Sequence, residues 1–73
     1  FNLPPPPPAA PQVPGLTARE QEVVGLICAG RTNRDIADAL AISLATVKTH
    51  IIHIFEKLGV ENRASVVARM ARG

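Results

Sequence analysis

Residues 43–58, with the sequence SLATVKTHIIHIFEKL, restrict the fold of this chain more than any other stretch. At about 100° per residue, four apolar side chains fall on one stripe of a helix. These side chains are Val47, Ile51, Ile54 and Leu58. The pattern predicts a helix over residues 44–58 with one buried face and an opposite face left free for a ligand. The opposite face carries Ala45, Lys48, Thr49, Ile52 and His53.

A shorter helix is predicted immediately before this stretch, over residues 32–40. Thr32 and Asp35 have the spacing of a capping box, in a weaker form than one that uses Glu. Ala41 and Ile42 would then form the turn that leads to Ser43. Because so few residues join the two helices, the pair predicts a helix-turn-helix. The buried face of the shorter helix is expected to hold Ile36, Ala37 and Leu40.

Two more helices complete a predicted all-α, four-helix helix-turn-helix bundle. The first begins at a capping box formed by Thr17 and Glu20 and ends at Gly30. Gly59 ends the long helix, and Asn62 caps a last helix from residue 63 to about residue 71. Inward-facing side chains are expected at Val23, Val24, Leu26 and Ile27 in the first helix and at Val66 and Met70 in the last.

All seven prolines lie between positions 4 and 14, within LPPPPPAAPQVPG. A segment of this composition forms neither a helix nor a central strand. It predicts a linker over residues 1–15 that is disordered or in polyproline II conformation, and a folded domain over residues 16–73. A ligand for an SH3-like groove is the alternative, but no flanking basic residue supports it. The chain begins at Phe1 and not at Met, which suggests a piece of a longer or processed protein.

The single cysteine and the hydropathy pattern bear on the compartment. No apolar run approaches the roughly 18 residues of a membrane span, so neither a span nor a signal peptide is predicted. Cys28 has no second cysteine to pair with, which favours the reducing cytoplasm. Because no CxxC motif or cationic neighbour accompanies it, Cys28 is predicted to be a buried, inert thiol.

Positive charge is concentrated in the second half of the chain. Residues 1–42 carry three arginines against four carboxylates, whereas residues 43–73 carry five cations against two carboxylates. The positive half coincides with the long helix and favours a polyanionic partner, although a solvated basic face has the same composition. Trp and Tyr are absent and only Phe1 and Phe55 are aromatic, which argues against stacking on single-stranded nucleic acid.

The residues for catalysis or cofactor binding are not found in the sequence. No nucleophile with a base and no pair of carboxylates stands out, and Ser43 and Thr46 are better explained as helix caps. His50 and His53 lie three apart, but no third ligand has metal-site spacing. Gly25 and Gly30 match no phosphate-binding loop. The sequence therefore predicts no enzyme, no metal and no cofactor.

The free face of the long helix has the properties needed to bind double-stranded DNA. An α-helix of about 10–12 Å diameter fits the major groove. The hydroxyls of Ser43 and Thr46, with free N–H groups near Ala45 and Thr46, suit a phosphate at the helix N-terminus. Lys48 and Thr49 lie one turn further on and can reach base edges, where Lys favours O6 and N7 of guanine.

Four motifs occur in one order and resemble a known family: LTARE at residues 16–20, IADALAIS at 36–43, TVKTH at 46–50 and KLGVENR at 57–63. Together they make residues 16–70 resemble the LuxR/FixJ-type (GerE-like) helix-turn-helix domain. The resemblance implies a four-helix bundle at the C-terminus of a bacterial transcription regulator that binds partly palindromic DNA as a dimer.

The resemblance also implies roles for individual residues. The base-reading positions of the family fall on Ala45, Lys48, Thr49 and Ile52. Contacts to the DNA backbone are expected from Asn33, Arg34, Thr46 and Lys57. Ser43, with its hydroxyl group, and the exposed His53 are also expected to contact the DNA backbone. The last helix is where the family dimerises, and a stripe of Ala64, Ala68 and Ala71 would let two copies approach. Because three methyl groups bury little area, a monomer in dilute solution that pairs on DNA is expected.

Ile52 and Ala45 depart from the family pattern, in which polar residues are common at these positions. Both can touch thymine methyl groups, but neither donates a hydrogen bond, so relaxed sequence selection is expected. Ile52 is alternatively an exposed or partner-covered side chain. The same helix could then dock on RNA polymerase or a partner regulator, with Ile52 as the apolar anchor. His50, about 60° from the buried stripe, is expected to be half-buried and to pack rather than contact a base.

Overall fold

A computed structural model describes residues 15–71 of the chain, which form four α-helices. They are α1 (Ala18–Cys28), α2 (Asn33–Leu40), α3 (Leu44–Leu58) and α4 (Arg63–Ala71). This part of the chain contains no strand, and the predicted all-α fold is confirmed. The predicted proline-rich linker lies, apart from Gly15, outside the described residues.

The helix starts follow the capping residues that the sequence indicates. The Thr17 hydroxyl accepts from the Glu20 amide at 3.1 Å, while the Glu20 carboxylate accepts from the Thr17 amide at 2.8 Å. Thr32 and Asp35 form the same reciprocal pair at 3.1 and 3.2 Å, so the second box is complete. At α4, the side-chain oxygen of Asn62 accepts from the Ser65 amide at 2.8 Å. These bonds satisfy amides that have no partner inside a helix.

The apolar stripes of all four helices meet in one core. Helix α3 packs against α1 and α2, and α4 packs against α1. The buried apolar side chains are Val23, Val24, Ile27, Ile36, Ala37, Val47, Ile51, Ile54, Leu58, Val66 and Met70. Leu26 and Leu40, both expected inside, are only partly buried at the edge of this core.

Cys28 is exposed, so its prediction as a buried thiol is wrong. The core-facing positions of α1 end with Ile27, and the next residue on a helix is turned by about 100° away from that stripe. The partial burial that the side chain does retain raises the pKa of the Cys28 thiol. A raised pKa favours the protonated thiol at neutral pH, and the inertness of Cys28 stays a prediction.

The turn between α2 and α3 sets the direction of the exposed face. The two helix axes differ by 109°, and the small Ala37 of α2 is buried. Ala41 closes α2 in the left-handed region, with φ 56° and ψ 43°. This conformation is uncommon for a residue with a Cβ atom. The tight turn that it allows carries the chain directly to the Ser43 cap of α3.

Within residues 15–71, no single helix is long and apolar enough to cross a membrane, and only the bent pair of α2 and α3 taken together reaches that length and composition.

Candidate nucleic-acid interface

The outer face of α3 is the most prominent exposed feature of the described residues. Ala45, Lys48, Thr49 and Ile52 are all exposed, as the helical pattern predicts. The Ile52 side chain is 55% exposed, which is unusual for a large apolar residue in the middle of a helix. Leu44, at the start of the same helix, is 42% exposed and was not singled out by the sequence. The face is therefore largely apolar, with Lys48 as its cation.

The N-terminus of α3 is occupied by its own cap. The Ser43 hydroxyl accepts from the Thr46 amide at 3.1 Å, and the hydroxyls of Ser43 and Thr46 lie 2.8 Å apart. The predicted Ser43 cap is confirmed, and because it uses the Thr46 amide, the expectation of a free N–H group at Thr46 is wrong. The amides of Leu44 and Ala45 remain outside the helical hydrogen-bond pattern. A phosphate at this end would meet these two amides and the paired hydroxyls.

The hydroxyl hydrogen of Thr49 is used in a hydrogen bond within α3. The Thr49 hydroxyl donates to the Ala45 carbonyl one turn earlier, at 3.1 Å. Its oxygen can still accept a hydrogen bond, but it has no donor left for a base. Lys48 is thus the only side chain among the four expected base-reading positions that has free donors.

A buried carboxylate on α1 lies against two basic side chains of α3. Glu20 lies on α1, and this residue is only 3% exposed. Its Oε1 atom lies 2.6 Å from Lys57 Nζ, and its Oε2 atom lies 4.0 Å from His53 Nδ1. The Lys57 hydrogen bond and then the Thr17 amide hold the pKa of Glu20 below its ordinary value. Lys57 and His53, both expected to contact DNA, therefore face a carboxylate of their own chain.

Sequence reasoning found Glu20 as a cap but missed its pairing with Lys57. The two residues are 37 positions apart, and no local pattern links them. The available signal was indirect, because a carboxylate one turn from Val23 and Val24 lies close to the core-facing side of α1. Only the packing of α1 against α3 brings the two charged groups together.

Arg63 connects α4 to the beginning of α2. Its Nη1 atom donates to the side-chain oxygen of Asn33 at 2.6 Å, and its Nη2 atom donates to the Arg31 carbonyl. Asn33, an expected backbone-contacting residue, is half-buried in this arrangement. Arg34, its neighbour with the same expected role, is exposed.

The alanine stripe of α4 is exposed at positions 64, 68 and 71, on the side away from the core. Val67 is 39% exposed and falls within the same stripe on a helical wheel. The sequence prediction named Ala64, Ala68 and Ala71 but missed Val67. His50 is half-buried, as expected from its place beside the buried stripe of α3. Residues 15–71 contain no group of three or more His, Cys, Asp or Glu side chains that could hold a metal ion.

A short helix, a left-handed turn and a longer helix with an exposed outer face define a helix-turn-helix DNA-binding domain. Residues 14–71 match the model of the family described as bacterial regulatory proteins, luxR family. The chain belongs to this family, whose members are DNA-binding transcription regulators.

Individual relatives agree with this assignment. The chain is 47% identical over 64 residues to the probable transcriptional regulatory protein NarL of Mycobacterium tuberculosis, which covers 88% of this chain and 30% of NarL. It is 52% identical over 54 residues to the monoamine regulon transcriptional regulator of Klebsiella aerogenes, covering 74% of this chain and 24% of that protein. The chain thus spans less than a third of these relatives.

A solved structure gives the same result for the fold. The crystal structure of response regulator ChrA, from a heme-sensing two-component system, superposes with a TM-score of 0.74 at 46% sequence identity. The match covers 84% of this chain and 30% of the ChrA chain.

Proposed function

We propose that this domain binds double-stranded DNA sequence-selectively, with α3 lying in the major groove. It would act as part of a cytoplasmic bacterial transcription regulator, and the proposal assigns it no catalytic step, metal or cofactor. The observation that carries the proposal is the exposed outer face of α3, which the 109° turn from α2 sets apart from the core. A helix presented in this way fits the groove in helix-turn-helix complexes.

The proposed base contacts come from Ala45, Lys48, Thr49 and Ile52. Lys48 supplies donors for guanine, and Thr49 supplies an acceptor because its hydrogen is bonded to the Ala45 carbonyl. A surface with one free donor-bearing side chain distinguishes few base pairs by hydrogen bonds. The proposal therefore includes relaxed sequence selection compared with a helix that carries several polar side chains.

The proposed backbone contacts come from Asn33, Arg34, Ser43, Thr46, His53 and Lys57. The hydroxyls of Ser43 and Thr46 share one hydrogen bond with each other, so one of their two hydrogens remains available for a phosphate at the start of α3. Lys57 and Asn33 already have partners in Glu20 and Arg63, so a phosphate would share them with these groups. Arg34 is exposed beside Asn33 and is the better source of an additional positive charge.

We further propose that two copies pair on DNA through α4. The contact would use Ala64, Ala68 and Ala71, to which the structure adds the exposed Val67. Four small or medium side chains bury much less than the roughly 800 Å² per partner of a standard stable interface. The isolated domain is therefore expected to be monomeric in dilute solution and to pair when DNA holds two copies side by side.

Protein docking is the second candidate function for the same helix. The 55% exposure of Ile52, next to the 42% exposure of Leu44, favours an apolar partner surface such as RNA polymerase or another regulator. In this alternative, Ile52 would enter a pocket on the partner, and Lys48 would lie at the rim.

A panel of duplexes tests the DNA proposal. Lys48→Ala and Thr49→Ala should each weaken binding to the preferred duplex, with Lys48→Ala losing about 1–3 kcal/mol at a guanine position. Arg69→Ala is the matched control, because it removes an exposed cation from α4, away from α3. If both α3 variants bind every duplex as well as the unmodified domain, the assignment of base readout to this face is wrong.

A further inference from the structure

The centre of the exposed face of α3 presents methyl groups. Ala45, Thr49 and Ile52 lie at spacings of four and three residues and form one line along the helix, here called the methyl line. Ala45 ends in a methyl group, and Ile52 projects a branched hydrocarbon side chain. Thr49 carries a methyl group on one branch of its side chain, and the hydroxyl on the other branch gives its hydrogen to the Ala45 carbonyl. The methyl line therefore offers no side-chain hydrogen-bond donor.

The major groove contains one apolar group that such a line can recognise. Thymine carries a methyl group at C5, whereas the other base edges in this groove present hydrogen-bond donors and acceptors. The methyl line extends over seven residue steps, or about 10 Å at 1.5 Å per residue. Successive bases on one strand are spaced by about 3.4 Å. The line is thus long enough to lie across two or three consecutive base pairs.

We propose that the methyl line reads C5-methyl groups of pyrimidines, so that the preferred half-site contains adjacent thymines next to a guanine. The guanine would be read by Lys48, which is exposed beside the line. This inference rests on the proposed function and names the DNA sequence class that it selects. It also extends to 5-methylcytosine, which presents the same methyl group at the same position of the groove.

DNA is the occupant favoured by the charges around the methyl line. Lys48 and Arg34 are exposed cations, on α3 and on the helix before it, and neither forms an ion pair among the described residues. The paired hydroxyls of Ser43 and Thr46 lie at the N-terminal end of the line, where a helix attracts anions. An apolar line with Lys48 beside it and a helix N-terminus at one end suits a groove whose floor carries methyl groups and whose walls are phosphates.

The test compares duplexes that differ only at C5 of pyrimidines. Tight-binding sequences are selected from a pool of short duplexes with a randomised core. Each selected duplex is then prepared with uracil in place of thymine. Removal of each contacted methyl group should weaken binding about fourfold, and removal of two should weaken it more than tenfold. In a second arm, each contacted T·A pair is replaced by C·G or by 5-methylcytosine·G, and the methylated form should bind about fourfold more tightly than the unmethylated one.

Two variants separate methyl recognition from other effects. Ile52→Ala changes an exposed side chain, so the domain should keep its melting temperature while the ratio of thymine to uracil affinity falls toward one. Lys48→Ala should weaken both duplexes alike and leave that ratio unchanged.

An unmodified domain that binds thymine and uracil duplexes equally overturns the methyl proposal and leaves the proposed function intact. A thymine-to-uracil affinity ratio that is as large in Ile52→Ala as in the unmodified domain assigns the preference to DNA shape and also overturns the methyl proposal. A domain that binds no duplex, but binds RNA polymerase through Ile52, overturns both.

Discussion

Glu20 has two functions at one position of the fold. It caps α1 by accepting from the Thr17 amide at 2.8 Å, and it pairs with Lys57 of α3 at 2.6 Å. Because the carboxylate is buried while Lys57 remains partly exposed, the energetic effect of the pair depends mainly on keeping Glu20 satisfied. The residue therefore caps the start of α1 and ties α1 to α3 through Lys57.

Acid should destabilise the domain through Glu20. The pKa of Glu20 in the folded chain lies below its ordinary value of 4.5, because Lys57 and the Thr17 amide favour the carboxylate. The resulting stabilisation is complete above pH 4.5 and is lost as the pH falls through the lower, folded-state pKa. Urea unfolding at a series of pH values should show this loss for the unmodified domain.

The Glu20→Gln variant should show a smaller loss of stability over the same acidic range. It should also be less stable at pH 7 by about 1–2 kcal/mol, since it loses a charged hydrogen bond whose cation is partly solvated. Asp35 still titrates in the variant, because its bonds to Thr32 likewise lower the pKa of Asp35. If the curves of unfolding free energy against pH run parallel for the two proteins below pH 4.5, Glu20 is not the group responsible for the acid destabilisation.

Ala41 adopts a backbone conformation that lowers the stability of the domain. Its φ of 56° places a Cβ atom in the left-handed region, which costs about 1–2 kcal/mol for residues other than glycine. Ala41→Gly should therefore raise the free energy of unfolding by about 1 kcal/mol, after the greater chain entropy of glycine is counted. A rise of about 4–8 °C in melting temperature is expected.

Ala39→Gly is the control for this change, because it makes the same substitution at an exposed, right-handed position of α2. It should lower stability by about 1 kcal/mol. If Ala41→Gly also lowers the melting temperature, the strain assigned to the turn is absent.

Helix α3 has one face that is buried in the core and an opposite, exposed face that is proposed to bind DNA. Its 15 residues run from Leu44 to Leu58, between the N-cap Ser43 and the C-cap Gly59, which adopts φ 67°. The cap bond from the Thr46 amide to Ser43 lies at the end that faces the proposed phosphate. Ser43 therefore has a structural role in the cap and a proposed role in phosphate binding, and substitution can separate the two.

Ser43→Ala should destabilise the domain by about 1 kcal/mol, because the Thr46 amide loses its acceptor. Ser43→Asp should keep the cap and the melting temperature, since Asp caps as well as Ser. Its negative charge would repel a phosphate, however, so DNA affinity should fall although the fold is intact. Equal DNA affinity for Ser43→Asp and the unmodified domain would exclude a phosphate contact at this end of α3.

Local patterns explain why the helices could be predicted and why parts of the site could not. The capping residues Thr17, Thr32, Ser43 and Asn62 and the apolar stripes depend on neighbours within a few positions, so the sequence indicates them directly. The pairs of Glu20 with Lys57 and of Asn33 with Arg63 depend on how helices far apart in sequence pack. The bond from Thr49 to the Ala45 carbonyl depends on a side-chain rotamer, which spacing does not determine.

At the scale of the whole molecule, the bundle separates its two proposed contact surfaces. The outer face of α3 belongs to the helix that packs on α1 and α2, whereas the alanine stripe belongs to α4, which packs on α1. A change on α4 should therefore alter the proposed pairing while α3 remains in place.

Ala68→Glu should weaken binding to a duplex with two half-sites more than binding to a single half-site. A large side chain at position 68 keeps two α4 helices from approaching closely, whatever its charge. Ala68→Lys should therefore reduce the advantage of the paired site as well, although its positive charge favours DNA. Gel-shift titrations on both duplexes measure this advantage, and an unchanged value in both variants would contradict pairing through α4.

A salt titration of duplex binding tests whether the outer face of α3 binds DNA. Each phosphate contact contributes about −0.9 to the slope of log Kobs against log salt concentration. For the unmodified domain, log Kobs should fall linearly as log salt concentration rises. In Arg34→Ala the slope should be closer to zero by about 0.9, which is the contribution of one phosphate contact. Lys48→Ala should weaken binding at every salt concentration. Binding that is insensitive to salt and to Lys48→Ala would contradict the account and favour an apolar protein partner for the helix.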